Sequence, residues 1–226
     1  MTIVTCIQEP PSDQFTKIHG IMFQRFKEYL QERADLTADE LAWVEALAIP
    51  RLYSKRQYLL KEGETCRLHT FVCRGCLRFF RVGPDGTDHI IKFAVEDCWI
   101  TDRESLLSGQ PAINNIDALE DCNVLHWTRE NYDLLLAGIP AFRAFNDRLI
   151  AQALECSIDR IYENISLKAD EKYRQFVRKY PGIYCRVPLY MVASYLGVSR
   201  ETLTRFRMQH TGTDSTRPDA RQRPGK

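Results

Sequence analysis

No apolar run in these 226 residues approaches the ~20 needed to cross a bilayer as a helix, which excludes a spanning segment of that kind. The opening stretch, "MTIVTCIQEPPSDQF", lacks the basic start and apolar core of a signal peptide, so a cytoplasmic location is expected. Motifs that carry chemistry are missing too: there is no Gly-rich phosphate loop and no Ser/His/Asp arrangement. "PDGTDH", Pro84 to His89, has the P-x-G-x-x-H form of a cupin metal motif, but the H-x-H partner that would complete three convergent ligands is absent. A barrel enzyme is therefore not expected, nor a resident metal or cofactor. Cys73 and Cys76 form a C-x-x-C without a second pair at zinc-ribbon distance and without the helix start of a thioredoxin-type site. Eight cysteines in a cytosolic chain are expected as free, buried thiols.

Net charge is also small, +1, which taken alone argues against a polyanionic partner. The total conceals a split. Residues 1–165 carry 18 Lys/Arg against 25 Asp/Glu, whereas residues 166–226 carry 13 against 5. An acidic body with a basic end is the pattern expected where only the end meets nucleic acid.

Apolar residues at helical spacing (Phe15, Ile18, Met22, Phe26, Leu30) predict a helix over 14–31. "LTADELAWVEAL" predicts a second, with Thr37 as N-cap and Glu40 completing a capping box. From about 50 to 128 the texture becomes short β-rich runs such as "HTFVCRGCLRFFRV" between turn signals such as the hairpin turn "GPDG", which suggests a small barrel or sandwich. From Pro140 to about Ile165 the residues Phe142, Phe145, Leu149, Ile150, Leu154, Ile158, Ile161 and Ile165 recur at three- and four-residue steps without glycine or proline. At ~1.5 Å per residue such a helix outruns a small barrel, so part of its apolar face needs another partner, a twin helix in a homodimer. "ADEKYRQFVRKYP" predicts a helix closed by Pro181, and "GIYCRVP" reads as a short strand. From His210 the chain is nearly devoid of apolar residues and is expected to be disordered.

"SYLGVSRETLTRF", residues 194–206, places Gly197 between two apolar-patterned segments. Pro188 suits the first turn of a helix to Leu196, Gly197 can end it in the left-handed conformation, and Ser199 can cap the next. Val192, Leu196, Val198, Leu203 and Phe206 then fall where two crossing helices bury a shared core, with Ala193 at their contact. This is the pattern of a helix-turn-helix. Arg200, Glu201 and Arg205 occupy positions one, two and six of the second helix and can face one groove. Arginine forks onto guanine, and a carboxylate accepts from cytosine N4. Arg207, Lys168 and Lys172, with Ser199 and Thr204, are candidates for backbone contacts, which hold register but carry no sequence information.

With a barrel, a long helix and a C-terminal "SRETLTR", the chain resembles the CRP/FNR superfamily of bacterial transcription regulators over about residues 35–209. "KEGE", "GCLRFF" and "ALED" are similar to that family's cyclic-nucleotide-binding-type barrel, and the spacing of "DEKYRQFVRKYP" before "VPLYMVASYLGVS" is similar to a Bacteroidetes-like branch. The resemblance implies an α+β fold in five parts: N-terminal helices (1–49), a β-roll or jelly-roll barrel (50–135), a dimerisation helix (136–166), a helix-turn-helix domain (167–209) and a tail (210–226). It also implies double-stranded DNA as partner, a homodimer, a small-molecule effector of unknown identity and, for a transcription regulator, RNA polymerase. Arg200, Glu201 and Arg205 would be the base readers.

The chain departs from the family in three places. The G-E-L segment that holds a ribose becomes Thr101, Asp102 and Arg103, and the Arg and Ser of the phosphate clamp become Ala112 and Ile113. A buried phosphate without such partners is costly, so tight binding of cyclic AMP is not expected; Arg103 or Lys92 could serve a different anion. Cys6 stands alone near the N-terminus, against an iron–sulfur cluster, and His19, His69, His89, His126 and His210 are scattered, against a haem. The chain turns polar after Met208 where the family adds a wing, with Arg217, Arg221 and Arg223 as possible substitutes in holding the DNA backbone. The alternative function is therefore a small-molecule sensor with a degenerate DNA-binding end, acting through protein contacts.

Overall fold

A computed structural model describes residues 12–210, which divide into two compact units, Met1–Ile158 and Asp159–Lys226. The polar tail and its arginines, the position of the wing, and Cys6 lie outside the described residues.

In the first unit, α1 (Ser12–Gln31) and α2 (Ala38–Ala46) precede eight antiparallel strands: β1 (Ile49–Tyr53), β2 (Tyr58–Leu60), β3 (Leu68–Arg74), β4 (Leu77–Val82), β5 (Asp88–Ala94), β6 (Trp99–Ile100), β7 (Asn115–Ala118) and β8 (Cys122–Thr128). They form two four-stranded sheets, ordered β1-β8-β3-β6 and β2-β7-β4-β5. The fold class is α+β with a jelly-roll-like β domain. The capping box of α2 is present: Glu40 N–H donates to Thr37 Oγ1 at 3.3 Å, and Thr37 N–H donates to Glu40 Oε2 at 2.8 Å.

Period-two alternation sends β3 and β8 into two different cores. Val72, Cys122 and Val124 face Leu77, Ala94, Ile116 and Ala118 of the other sheet. Phe71, Cys73, Leu125 and Trp127 point the opposite way and pack against the helices. Phe26 of α1 sits at the centre of that second core, 4.7 Å from the Phe71 ring and 4.8 Å from Trp127. Gly75 makes the β3–β4 connection at φ +112, and an added Cβ would lie 2.8 Å from Cys122 Cα, so no other residue fits. The C-x-x-C thus spans the connection between β3 and β4, with both thiols buried and outside any disulfide; burial pushes the Cys73 thiol up to about 12. On the outer face of β4, Arg78 forks onto Asp117 at 2.7 and 2.9 Å and lies over the Phe80 ring.

One helix interrupts the β-rich region read over about 50 to 128, and a second follows it. α3 (Arg103–Ser108) is only six residues, too short to show a helical period. α4 (Arg129–Gly138), capped by Thr128, abuts the last strand, and α5 (Pro140–Ser166) covers the stretch whose apolar period was read from Pro140 to about Ile165. The first turns of α5 bury Phe142 and Phe145 in the helix-facing core.

The second unit takes the last turns of α5, then α6 (Ala169–Lys179), α7 (Pro181–Tyr184), α8 (Leu189–Leu196) and α9 (Arg200–His210). "GIYCRVP" is not a strand: Pro181 starts the one-turn α7, its fixed φ suiting a first helical position, and Ile183 is buried. Tyr173, Phe176, Ile183, Val192, Ala193, Leu196 and Leu203 form the buried interior. Arg160 of α5 lies 4.1 Å over the Tyr195 ring and donates to the Tyr195 carbonyl at 3.1 Å, while Lys172 Nζ donates to the Asn164 carbonyl. These contacts tie α6 and α8 to the end of α5.

Candidate nucleic-acid interface and effector site

The corner between α8 and α9 follows from three residues. Gly197 adopts φ +65, and its N–H returns to the Ala193 and Ser194 carbonyls, ending α8. Ser199 Oγ accepts from Thr202 N–H at 3.1 Å, which starts α9. Val192 and Leu203 are fully buried where the helices cross, while Val198 and Phe206 are only partly covered.

At ~100° per residue, Arg200, Thr204, Met208, Glu201 and Arg205 follow one another across about 140° of the α9 surface. They line a single open stretch of that surface, opposite buried Leu203. Arg200, Glu201 and Arg205 are exposed, so the three predicted base readers share a face. The Glu201 carboxyl is held below the usual carboxylate range by its own backbone N–H, then by the Ser199 hydroxyl and Arg200, and is ionised at neutral pH. Arg205 extends beside Phe206, 5.5 Å from its ring centre. Thr204 Oγ1 donates to the Arg200 carbonyl at 2.9 Å, so its proton is used inside the helix. Arg207 is partly exposed beyond this face, and Lys168 is exposed at the start of α6, where its backbone N–H donates to Glu171. Met208, 71% exposed in the middle of the arginine-bearing face, was not singled out from sequence. Its position four residues after Thr204 and eight after Arg200 is the signal that identifies it.

In the barrel, Asp102 is buried and caps α3: Oδ1 accepts from Ser105 N–H at 3.1 Å, and Oδ2 accepts from Asn114 Nδ2 at 2.8 Å. Both carboxylate oxygens are engaged. Thr101 Oγ1 donates to the Leu68 carbonyl, and Arg103 is exposed on α3. Ala112 and Ile113 do not share a surface: Ala112 belongs to the inter-sheet core, whereas Ile113 is exposed. Of the five expected pocket residues, Asp102 and Ala112 are buried whereas Arg103 and Ile113 are exposed. Asn114 and Arg81, which donates to Asn114 Oδ1 at 3.0 Å, are the polar residues that sequence reasoning missed. Strand pairing is what brings them to Asp102. Among the described residues no group of three or more His, Cys, Asp or Glu could hold a metal ion, and no helix is long and apolar enough to cross a membrane.

Residues 50–138 match the family model of the cyclic nucleotide-binding domain. No curated protein matches the sequence. Among solved structures, the chain is similar to FixK2 from Bradyrhizobium japonicum (19% identity, TM-score 0.64, covering 73% of this chain and 85% of that one). It is also similar to the c-di-GMP-responsive global regulator CLP of Xanthomonas campestris (14%, 0.62, 80% and 96%). A third likeness is to a regulator assigned to the CRP/FNR family from Eubacterium rectale (16%, 0.61, 82% and 88%). The fold is that of CRP/FNR regulators, with a cyclic-nucleotide-binding-type barrel.

Proposed function

We propose that the chain is a homodimeric, sequence-specific DNA-binding transcription regulator of the CRP/FNR type, not an enzyme, whose barrel answers to a small molecule other than cyclic AMP. One observation carries this reading: the face of α9 that leaves the domain interior bears Arg200, Glu201 and Arg205 directly after a glycine corner capped by Ser199. A helix so presented fits a major groove, with arginines for guanine and Glu201 for cytosine. Ser199, Thr204, Arg207, Lys168 and Lys172 are assigned to the DNA backbone, Lys172 with two donors left after its bond to Asn164. The spacing of α6 ahead of α8 supports placement in the Bacteroidetes-like branch, and contact with RNA polymerase follows from the regulator role.

The homodimer reading is supported by the second half of α5. Leu154, Ile158, Ile161 and Ile165 are 61, 56, 59 and 81% exposed and recur at steps of four, three and four, the seam of a two-helix coil. Two-fold symmetry then spaces the half-sites about one helical turn apart.

Gel retardation with genomic fragments tests the reading. Each base-reading arginine is worth ~1–3 kcal/mol, so Arg200→Ala with Arg205→Ala should weaken binding about thirty-fold or more. Unchanged binding by the double variant would overturn the assignment. For the effector, isothermal titration with cyclic AMP should show no micromolar affinity, since the Ala112 and Ile113 side chains offer a phosphate no partner and both oxygens of buried Asp102 already accept hydrogen bonds. The polar composition of residues 209–226 favours the second reading, a sensor acting through protein contacts. Failure to retard any promoter DNA at low salt, with a ligand bound in the barrel, would select it.

A further inference from the structure

The apolar side chains of α9 face different ways. Leu203 is fully buried and Phe206 is partly covered, both on the side that packs into the domain. Met208 follows Leu203 by five positions, which at ~100° per residue turns it about 140° away, and it is 71% exposed. A surface helix ordinarily keeps its apolar residues on the core stripe and polar ones opposite. Met208 breaks that division in the middle of the arginine-bearing face.

Glu201, Thr204, Arg205 and Met208 stand at i, i+3, i+4 and i+7, a spacing that holds four side chains on one side of a helix over about 10 Å of its axis. Helices that lie in a major groove read bases from that same spacing. With Arg200 these four line an open hollow of about 550 Å³. The thioether has no proton to give a phosphate and is only a weak acceptor, so Met208 neither holds the DNA backbone nor reads a base amine. What a major groove offers an apolar side chain is the C5 methyl group of thymine. An apolar protein surface fits this face poorly, because covering Met208 would also cover Arg200 and Arg205 without pairing their charges. An unbranched side chain with a polarizable sulfur adapts readily to a small apolar group.

We infer that Met208 is a specificity-determining residue that reads a thymine through its C5 methyl group. Three residues of helix rise about 4.5 Å against about 3.4 Å per base pair, so this thymine lies within about two base pairs of the one Arg205 reads. Arginine and glutamate select guanine and cytosine, and Met208 extends the half-site to an A·T pair that those charges do not select. The inference rests on the DNA-binding reading proposed above and adds to it a base and the residue that reads it.

The probe is a DNA fragment retarded by the full chain, with each thymine in turn replaced by deoxyuridine in both half-sites, which removes the methyl group and leaves base pairing intact. At fixed salt, one such replacement should weaken wild-type binding about three- to ten-fold, the scale of one or two small apolar groups left uncovered. Met208→Ala should lose about as much on the thymine fragment and then be indifferent to that replacement. Met208→Leu should keep both the affinity and the response. If Met208→Ala responds to every replacement as wild type does, whether or not its affinity has fallen overall, the inference is overturned. Indifference of the wild type to every replacement overturns it as well. A wild type that retards no DNA fails the DNA-binding reading itself, and this inference with it. A flat deoxyuridine scan on a fragment whose binding needs Arg200 and Arg205 fails the methionine alone.

Discussion

At the scale of single residues, several polar groups of the barrel are committed to structure, and His126 shows what that commitment costs. It is fully buried, with Nε2 3.0 Å from the Tyr53 hydroxyl and Nδ1 2.9 Å from Thr70 Oγ1. Each hydroxyl can donate to or accept from the ring, and it is burial that favours the neutral form. Burial, helped by Arg51, lowers its pKa to about 3. His69, whose ring stacks on Tyr132 at 3.8 Å, is lowered to about 4 by burial and then by Arg103 and Arg129. Both values lie below the ordinary 6.5, so between 6.5 and these values the unfolded chain binds protons that the folded chain refuses. Stability is therefore whole above pH 6.5 and declines as pH falls toward 4, by up to ~1.4 kcal/mol per pH unit for each histidine. Denaturant unfolding followed from pH 7 to 4 should show this slope, and it should shrink in His126→Gln even though that variant starts less stable. The same accounting explains Asp102: its position looked like a ligand contact, but its hydrogen bonds cap a helix and hold Asn114.

At the scale of elements, α5 and α9 differ from the other helices in what they leave uncovered. Burial on α5 stops after Phe145, and from Ala151 to Asp159 every residue is exposed. A helix that keeps its apolar period while losing its cover is adapted to a partner of the same kind. Ile158→Glu with Ile161→Glu places like charges on the seam of both copies. The variant should sediment as a monomer where the wild type sediments as a dimer, with far-ultraviolet dichroism of the barrel unit retained. A wild-type monomer at tens of micromolar would contradict the dimer. On α9, the buried line ends at Leu203 and the arginine-bearing line lies opposite, so the helix can leave its domain on one side without losing its core.

At the scale of the whole molecule, charge is split along the chain. An acidic excess over 1–165 would repel a polyanion and the basic excess over 166–226 would attract it, so on the proposed function DNA would meet the C-terminal end first. Affinity for DNA should fall with salt in a linear double-logarithmic plot, by ~0.9 in slope for each phosphate neutralised. Arg207→Gln should flatten that slope by about 1 and weaken all sequences alike. Arg200→Ala should instead relax discrimination at its base pair. Filter binding between low and moderate salt separates the two, and a slope unchanged by Arg207→Gln would remove that residue from the backbone contacts.

Local order alone settled much of this protein. The helical periods of α1, α2, α5 and α6, the Thr37 capping box, the glycine corner and the shared face of Arg200, Glu201 and Arg205 depend on spacings of one to eight residues, which the chain states directly. The strand-like look of "GIYCRVP" misled because its apolar residues serve one helical turn whose shape is set by Pro181 and by burial of Ile183. What the barrel holds was decided only in three dimensions. Arg81, Asn114 and Asp102 come from β4, the approach to β7 and the start of α3, and the antiparallel pairing of β4 with β7 brings Arg81 to Asn114, which donates to Asp102. Shifting that register by a single residue would turn Arg81 to the other face of its sheet, which the linear chain does not disclose.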